Sequence, residues 1–213
     1  MKYPADTRVL AWRLDEDPSQ LLALCREQGI PCEDLTVLPP KRQREKAAER
    51  LLLRHALGRP TILSHTPQGA PMIDGDSMNI SITHTQRLVA LTLNERQVIG
   101  LDAETVDRQQ VVRVRDKFLN AGEQQFIAAD DQEMLVVAWT VKEAVIKAER
   151  NSAIDWTNAI HINPFTLKRG GLVETAIDAC CDARHYRLST RCVEGHYMTL
   201  AVAAPCPLST AGQ

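Results

Sequence analysis

Two short stretches of the chain carry side chains suited to phosphoryl chemistry. "VIGLDAE" places Asp102 and Glu104 two residues apart, and "WTVKEAVIKAE", about forty residues later, places Trp139, Glu143 and Lys147 at successive i, i+4 spacings. Side chains alternate faces along a strand, so Asp102 and Glu104 point one way while Ile99, Leu101 and Ala103 point the other. Two like charges side by side repel and are costly to desolvate unless a cation compensates them. On a helix, residues four apart share a face, so Glu143 and Lys147 set an acid and a base one turn apart. Taken singly, each stretch has a plain structural reading: an acidic strand end running into solvent, and a surface ion pair beside an aromatic ring. Taken together, the three carboxylates suit the hard, all-oxygen, octahedral preference of Mg²⁺, with Mn²⁺ as the alternative, and Lys147 adds a point charge for phosphate. The chemistry would be phosphoryl transfer, in which metal and cations neutralise charge developing at phosphorus.

These residues need elements to position them. The second stretch lies in a predicted helix from Asp130 to about Glu149, whose Val141, Ala144, Val145 and Ile146 make much of its circumference apolar and so partly enclose the acid and base. Upstream, "KRQREKAAERLLLRHALG" follows the breaker "LPP" and predicts an amphipathic helix over 41–57, ended by Gly58 and Pro60. The runs "MNISITHT", "RLVALTLN" and "VIGLDAE", separated by "TQ" and "NERQ", predict a three-stranded meander. A further helix is predicted over about Asp107 to Phe118, and two strands, "HYRLSTRCV" and "HYMTLAVAA", flank "EG" near the end. There is no regular βαβ alternation, so the fold class is α+β, with a division into residues 1–96 and 97–213.

The 213 residues, 44% hydrophobic, are ample for a core. A net charge of −2 and only 4% aromatic residues argue against a protein that coats nucleic acid. No run has the length of a membrane span and the N-terminus has no apolar leader core, which predicts no membrane partner and a cytoplasmic location. The six cysteines show no C-x-x-C and no metal-finger spacing, as expected of free thiols in a reducing compartment. Segment 41–59 holds seven Lys or Arg against two Glu, a formal charge of +5 that calls for acidic partners or a solvated helix face.

The pair "IGLDAE" and "WTVKEAVIKAE" resembles the double signature of the 4'-phosphopantetheinyl transferases, G-[IV]-D-x-E and W-[ST]-x-K-E-[AS]-x-x-K. Trp139, Thr140, Lys142, Glu143, Ala144 and Lys147 match every fixed position of the second motif. "NISITHT" is similar to the family's N-x-S-H-S strand, with Thr83-His84-Thr85 in place of S-H-S, and the helix after "LPPKRQREK" resembles its basic segment. "QGAPMI" resembles G-[KR]-P-x-[IL] but has Ala70 where a phosphate-binding base is usual, so Arg87 or Arg54 would compensate. The length is similar to that of the longer, Sfp-like members, and among these to the AcpT-like bacterial enzymes, in which two similar halves form a pseudo-dimer within one chain; this implies a monomer.

The resemblance implies transfer of the 4'-phosphopantetheine arm from coenzyme A to a serine of an apo acyl carrier protein, or of a peptidyl or polyketide carrier domain, with release of 3',5'-ADP. Asp102, Glu104 and Glu143 would hold the metal, and Glu143 would also be the candidate base, directly or through a metal-bound water. Lys147 would stabilise the pyrophosphate and Lys142 would serve it only secondarily. Thr83 and His84 would contact phosphate, and Lys41 and Arg44 the 3'-phosphate. Fatty-acid biosynthesis is the pathway expected. Met134, Leu135, Phe118 and Phe126 are candidates for an apolar carrier-docking patch. Two other classes stay open from the residues: a Mg²⁺-dependent nuclease, and a non-catalytic module that binds carrier proteins or nucleotides.

Overall fold

The computed structural model describes residues 6–169 and 174–204. The chain runs through strand β1 (Arg8–Arg13), helix α1 (Pro18–Glu27), a 3₁₀ turn (Glu33–Leu35), helix α2 (Pro40–Leu57), short strands β2 (Ser64–His65) and β3 (Pro71–Met72), and strands β4 (Asn79–His84) and β5 (Leu88–Asn94). It continues with β6 (Ile99–Thr105), α3 (Gln110–Phe118), a second 3₁₀ turn (Glu123–Gln125), α4 (Gln132–Glu149), β7 (Ile160–Ile162), β8 (Thr175–Cys181), β9 (Arg184–Val193) and β10 (His196–Ala203). The fold is α+β. The order of strand, helix, 3₁₀ turn, 18-residue helix and antiparallel strands occurs twice. Each time the first strand pairs antiparallel with the last, β1 with β5 and β6 with β10.

Local sequence explains the helix ends. Asp17 caps α1 by accepting the Gln20 N–H at 3.0 Å, while the Gln20 side chain accepts the Asp17 N–H at 2.8 Å, a capping box completed by Pro18 in the first turn. Helix α2 stops where Gly58 takes φ +70°, a left-handed value that suits glycine. Asp131 caps α4.

The three runs predicted as one meander all form strands, but the meander is broken. β4 and β5 pair in a sheet ordered β1-β5-β4, whereas β6 joins a five-stranded sheet ordered β6-β10-β9-β8-β7. The reason is legible in the side chains. Ile99, Leu101 and Ala103 pack with Leu88, Ala90, Met198 and Leu200, so the apolar face of β6 sits at the seam between the sheets. The amides of β6 that look toward β4 are taken by side chains instead of a strand ladder: Leu101 N–H donates to Ser81 Oγ at 2.9 Å and Ala103 N–H to Thr83 Oγ1 at 3.2 Å. The larger core lies around α4, and a second one lies between α1, α2 and the first sheet.

Phe118, Leu135 and Met134 are all buried in the α4 core and Phe126 is packed against it, so these four form core rather than an exposed docking patch. Cys25, Cys32, Cys180, Cys181 and Cys192 are free thiols, and Cys206 lies outside the described residues. Among the described residues no helix is long and apolar enough to cross a membrane.

Candidate active site between strand β6 and helix α4

Gly100, Asp102 and Glu104 share the face of β6 that meets α4. A Cβ at Gly100 would stand 2.7 Å from the Ala148 nitrogen and closer still to the Ala144 carbonyl oxygen, so the helix backbone rests directly on the strand. This contact brings the Glu143 and Lys147 turn over Asp102. Lys147 Nζ donates to Asp102 Oδ1 at 2.6 Å, and the Thr83 hydroxyl donates to the same oxygen at 3.1 Å. Asp102 is 4% exposed, and its second oxygen, Oδ2, is buried with no hydrogen-bond partner among the described residues. Below, Thr199, paired with Asp102 across β6 and β10, is hydrogen-bonded to Thr140 of α4 at 2.7 Å and Thr190 of β9 at 2.8 Å, a buried hydroxyl chain that ties the helix to the sheet.

Glu104 is ion-paired with Arg108. The Arg108 guanidinium lies 5.1 Å above the Trp139 ring, which itself packs edge-to-face with Phe118 and at a tilt against Trp156. Glu143 is half-buried; its burial, and next the negative charge of Asp102, push its carboxyl pKa up, with Lys147 and Arg108 opposing. The expected cluster of three carboxylates is therefore not assembled as the side chains stand. Lys147 and Arg108 hold Asp102 and Glu104, and among the described residues no three Asp, Glu, His or Cys side chains converge as metal ligands. The chemistry of the donor set nonetheless fits a hard divalent cation. Oδ2 of Asp102 is an orphaned acceptor, and the repulsion between Asp102 and Glu143 is of the kind such a charge relieves.

Several residues expected to bind phosphate are placed elsewhere. Lys142, fully buried, points away from β6: its ammonium pairs with Glu123 Oε2 at 2.7 Å and donates to the carbonyls of Trp156 at 2.7 Å and Ile160 at 3.1 Å, using all three protons. Burial lowers its pKa against the opposing pull of Glu123. It is an anchor for α4 and not a phosphate ligand. Thr83, 2% exposed, spends its hydroxyl on Ala103 and Asp102, so it aligns the acid instead of touching a ligand. Arg54 lines a separate cleft with Leu10, Trp12 and His55 at the end of α2. Much of the basic charge of α2 is locally matched: Arg42 pairs with the buried Glu45, Lys46 with Glu49, and Arg50 bidentately with Asp34.

Lys41 and Arg44 do share a site. They line a cleft of about 640 Å³ together with Asp15, Asp17, Thr85 and Gln86. Lys41 is exposed, and Arg44 is tethered through one terminal nitrogen to the Leu14 carbonyl at 2.6 Å, leaving its buried Nε without a partner. His84 stands between this cleft and the acids in sequence, Thr83 holding Asp102 and Thr85 lining the cleft. Its ring is surface-accessible, yet partial desolvation lowers its pKa, Glu45 and Glu49 oppose this, and Lys147 and Arg42 act with it.

Residues 98–201, from the end of the β5–β6 turn into β10, match the family model of the 4'-phosphopantetheinyl transferase superfamily. Through this span, a little under half of its length, the chain is similar to that superfamily. The matched region contains Asp102, Glu104, Glu143 and Lys147 and the whole of α4, so the motif-bearing strand and helix both lie within the match. No curated protein compared with the chain matches it. Two participants in the site were not anticipated from the sequence, Arg108 and the buried Glu123. Arg108 lies four residues beyond Glu104, a spacing that signals an ion pair only where the chain turns, and Glu123 sits 19 residues before its partner Lys142, a separation no periodicity marks.

Proposed function

We propose that this chain transfers the 4'-phosphopantetheine arm of coenzyme A to a serine hydroxyl of an apo carrier protein, giving the holo carrier and 3',5'-ADP, as a holo-[acyl-carrier-protein] synthase serving fatty-acid synthesis. The observation that carries the reading is the pairing of Lys147 with Asp102 at 2.6 Å, with Glu143 one turn before Lys147 on the same face of α4. A divalent cation held by Asp102, Glu104 and Glu143 would supply charge neutralisation at the pyrophosphate. The remaining work belongs to the chain itself. The Glu143 carboxylate takes the proton of the attacking serine. As the serine oxygen bonds to phosphorus and the pyrophosphate P–O bond breaks, Lys147 sits within reach of the departing oxygens and stabilises their charge. Lys41 and Arg44 receive the 3'-phosphate in the cleft they share, and His84, next in sequence to Thr85 of that cleft, contacts phosphate. We further assign the chain to the two-halves type, divided at residues 96 and 97 and active as a monomer, on the repeat of element order described above.

The reaction is tested by incubating the protein with coenzyme A, Mg²⁺ and an apo carrier protein and separating the nucleotides by chromatography. Carrier-dependent release of 3',5'-ADP is expected; coenzyme A left intact with every carrier offered would refute the reading.

A further inference from the structure

The turn between β4 and β5 is held by a residue from the far end of the chain. Thr85 Oγ1 accepts the backbone N–H groups of Arg87 at 3.2 Å and Leu88 at 3.0 Å, which uses both of its lone pairs. Its own proton is left for His196 Nε2, 3.0 Å away. The other ring nitrogen of His196, Nδ1, lies 2.7 Å from the Glu194 carbonyl oxygen, which only accepts, so Nδ1 is the donor and Nε2 the acceptor. His196 is 3% exposed and begins β10 opposite Thr105 of β6. The same hairpin reaches the first sheet again where the Glu194 carboxylate pairs with Arg13 at 3.1 Å. Leu14, the next residue, donates its N–H to the Arg87 carbonyl at 2.8 Å. The β4–β5 turn is thus gripped between the end of β1 and the β9–β10 hairpin. Thr85 and Gln86 of that turn line the cleft shared by Lys41 and Arg44.

We propose that His196 is a positioning residue: by accepting the Thr85 hydroxyl it fixes the cleft wall against which the nucleotide end of coenzyme A docks, and so makes docking in the first half of the chain depend on the last hairpin. The proposal rests on the transfer reaction above. Enclosed as it is, the ring acts on the ligand only through Thr85. Its loss should therefore weaken coenzyme A binding and leave the chemical step near its original rate.

The test compares His196→Leu, which removes the acceptor, with His196→Gln, whose amide oxygen can take the place of Nε2, measuring coenzyme A binding by calorimetry and steady-state transfer to an apo carrier. His196→Leu should raise both Kd and KM for coenzyme A by about five- to tenfold, the scale of one lost hydrogen bond, with kcat within about twofold. His196→Gln should recover most of the loss. If His196→Leu does not fold, Thr85→Ala removes the same bond together with those from Arg87 and Leu88 and should raise KM at least as much, and in that background His196→Gln should add nothing. An unchanged KM in His196→Leu, a fall in kcat alone, or equal losses in the Leu and Gln variants would overturn the proposal. A wild-type protein that binds coenzyme A with neither transfer nor release would instead overturn the transfer reading itself.

Discussion

At Glu143 the surroundings of the metal-free chain work against ionisation. Burial and the neighbouring Asp102 charge raise its pKa above the ordinary 4.5. A carboxyl whose folded pKa exceeds its unfolded one binds more protons in the native state between the two values, so stability falls as pH rises through that window and the full cost is present above it. Glu143→Gln is therefore expected to melt no lower than the wild type at neutral pH, while transfer falls by about 10²- to 10⁴-fold; thermal melts across pH beside rate measurements check both. Lys142, next along the helix, has the opposite character. Lys142→Met leaves Glu123 buried without its cation, and a loss of about 3–5 kcal/mol in urea denaturation is expected. A variant of full stability with weakened coenzyme A affinity would return Lys142 to the phosphate site.

Among the elements, the contact of β6 with α4 decides the site, and a single glycine permits it. At Gly100 an added methyl group meets helix backbone, which cannot swing aside as a side chain can. Gly100→Ala should lift α4 from the strand, cost about 1–3 kcal/mol or more in chemical denaturation, and lower transfer by separating Glu143 and Lys147 from Asp102. The helices were readable because their signals are local: apolar spacing, Pro40 and Gly58 around α2, and an apolar middle in α4. So was the shared face of Asp102 and Glu104. The pairing of β6 was not, because its partner β10 lies about a hundred residues away and the alternation of "VIGLDAE" fits a neighbour in either sheet. Helix α1, absent from the reading by motif, did carry a local signal in "DPSQ", the capping box of Asp17 and Gln20.

For the molecule as a whole, the superfamily motifs pointed to the residues that come together but not to how each is used. Asp102, Glu143 and Lys147 lie across the β6–α4 contact, with Lys147 paired to Asp102. Thr83 and Lys142 occupy motif positions too, yet burial turns one into a strut for Asp102 and the other into an anchor for α4. Burial is a property of the assembled layers, and a motif lettered along one chain does not carry it. The +5 charge over 41–59 overstates what is free in the same way, since beyond the two glutamates it already counts, Asp34 pairs with Arg50 and Asp76 with Arg59. The central claim is that these parts make a transferase acting on a carrier protein, and intact-mass measurement of an apo carrier after incubation with the protein and coenzyme A tests it most directly. The account predicts that the carrier gains one phosphopantetheine arm with Mg²⁺ and none with a chelator or with the Glu143→Gln protein. A carrier that gains the arm equally with Glu143→Gln, or a panel of apo carriers that gains none with the wild type, would contradict it.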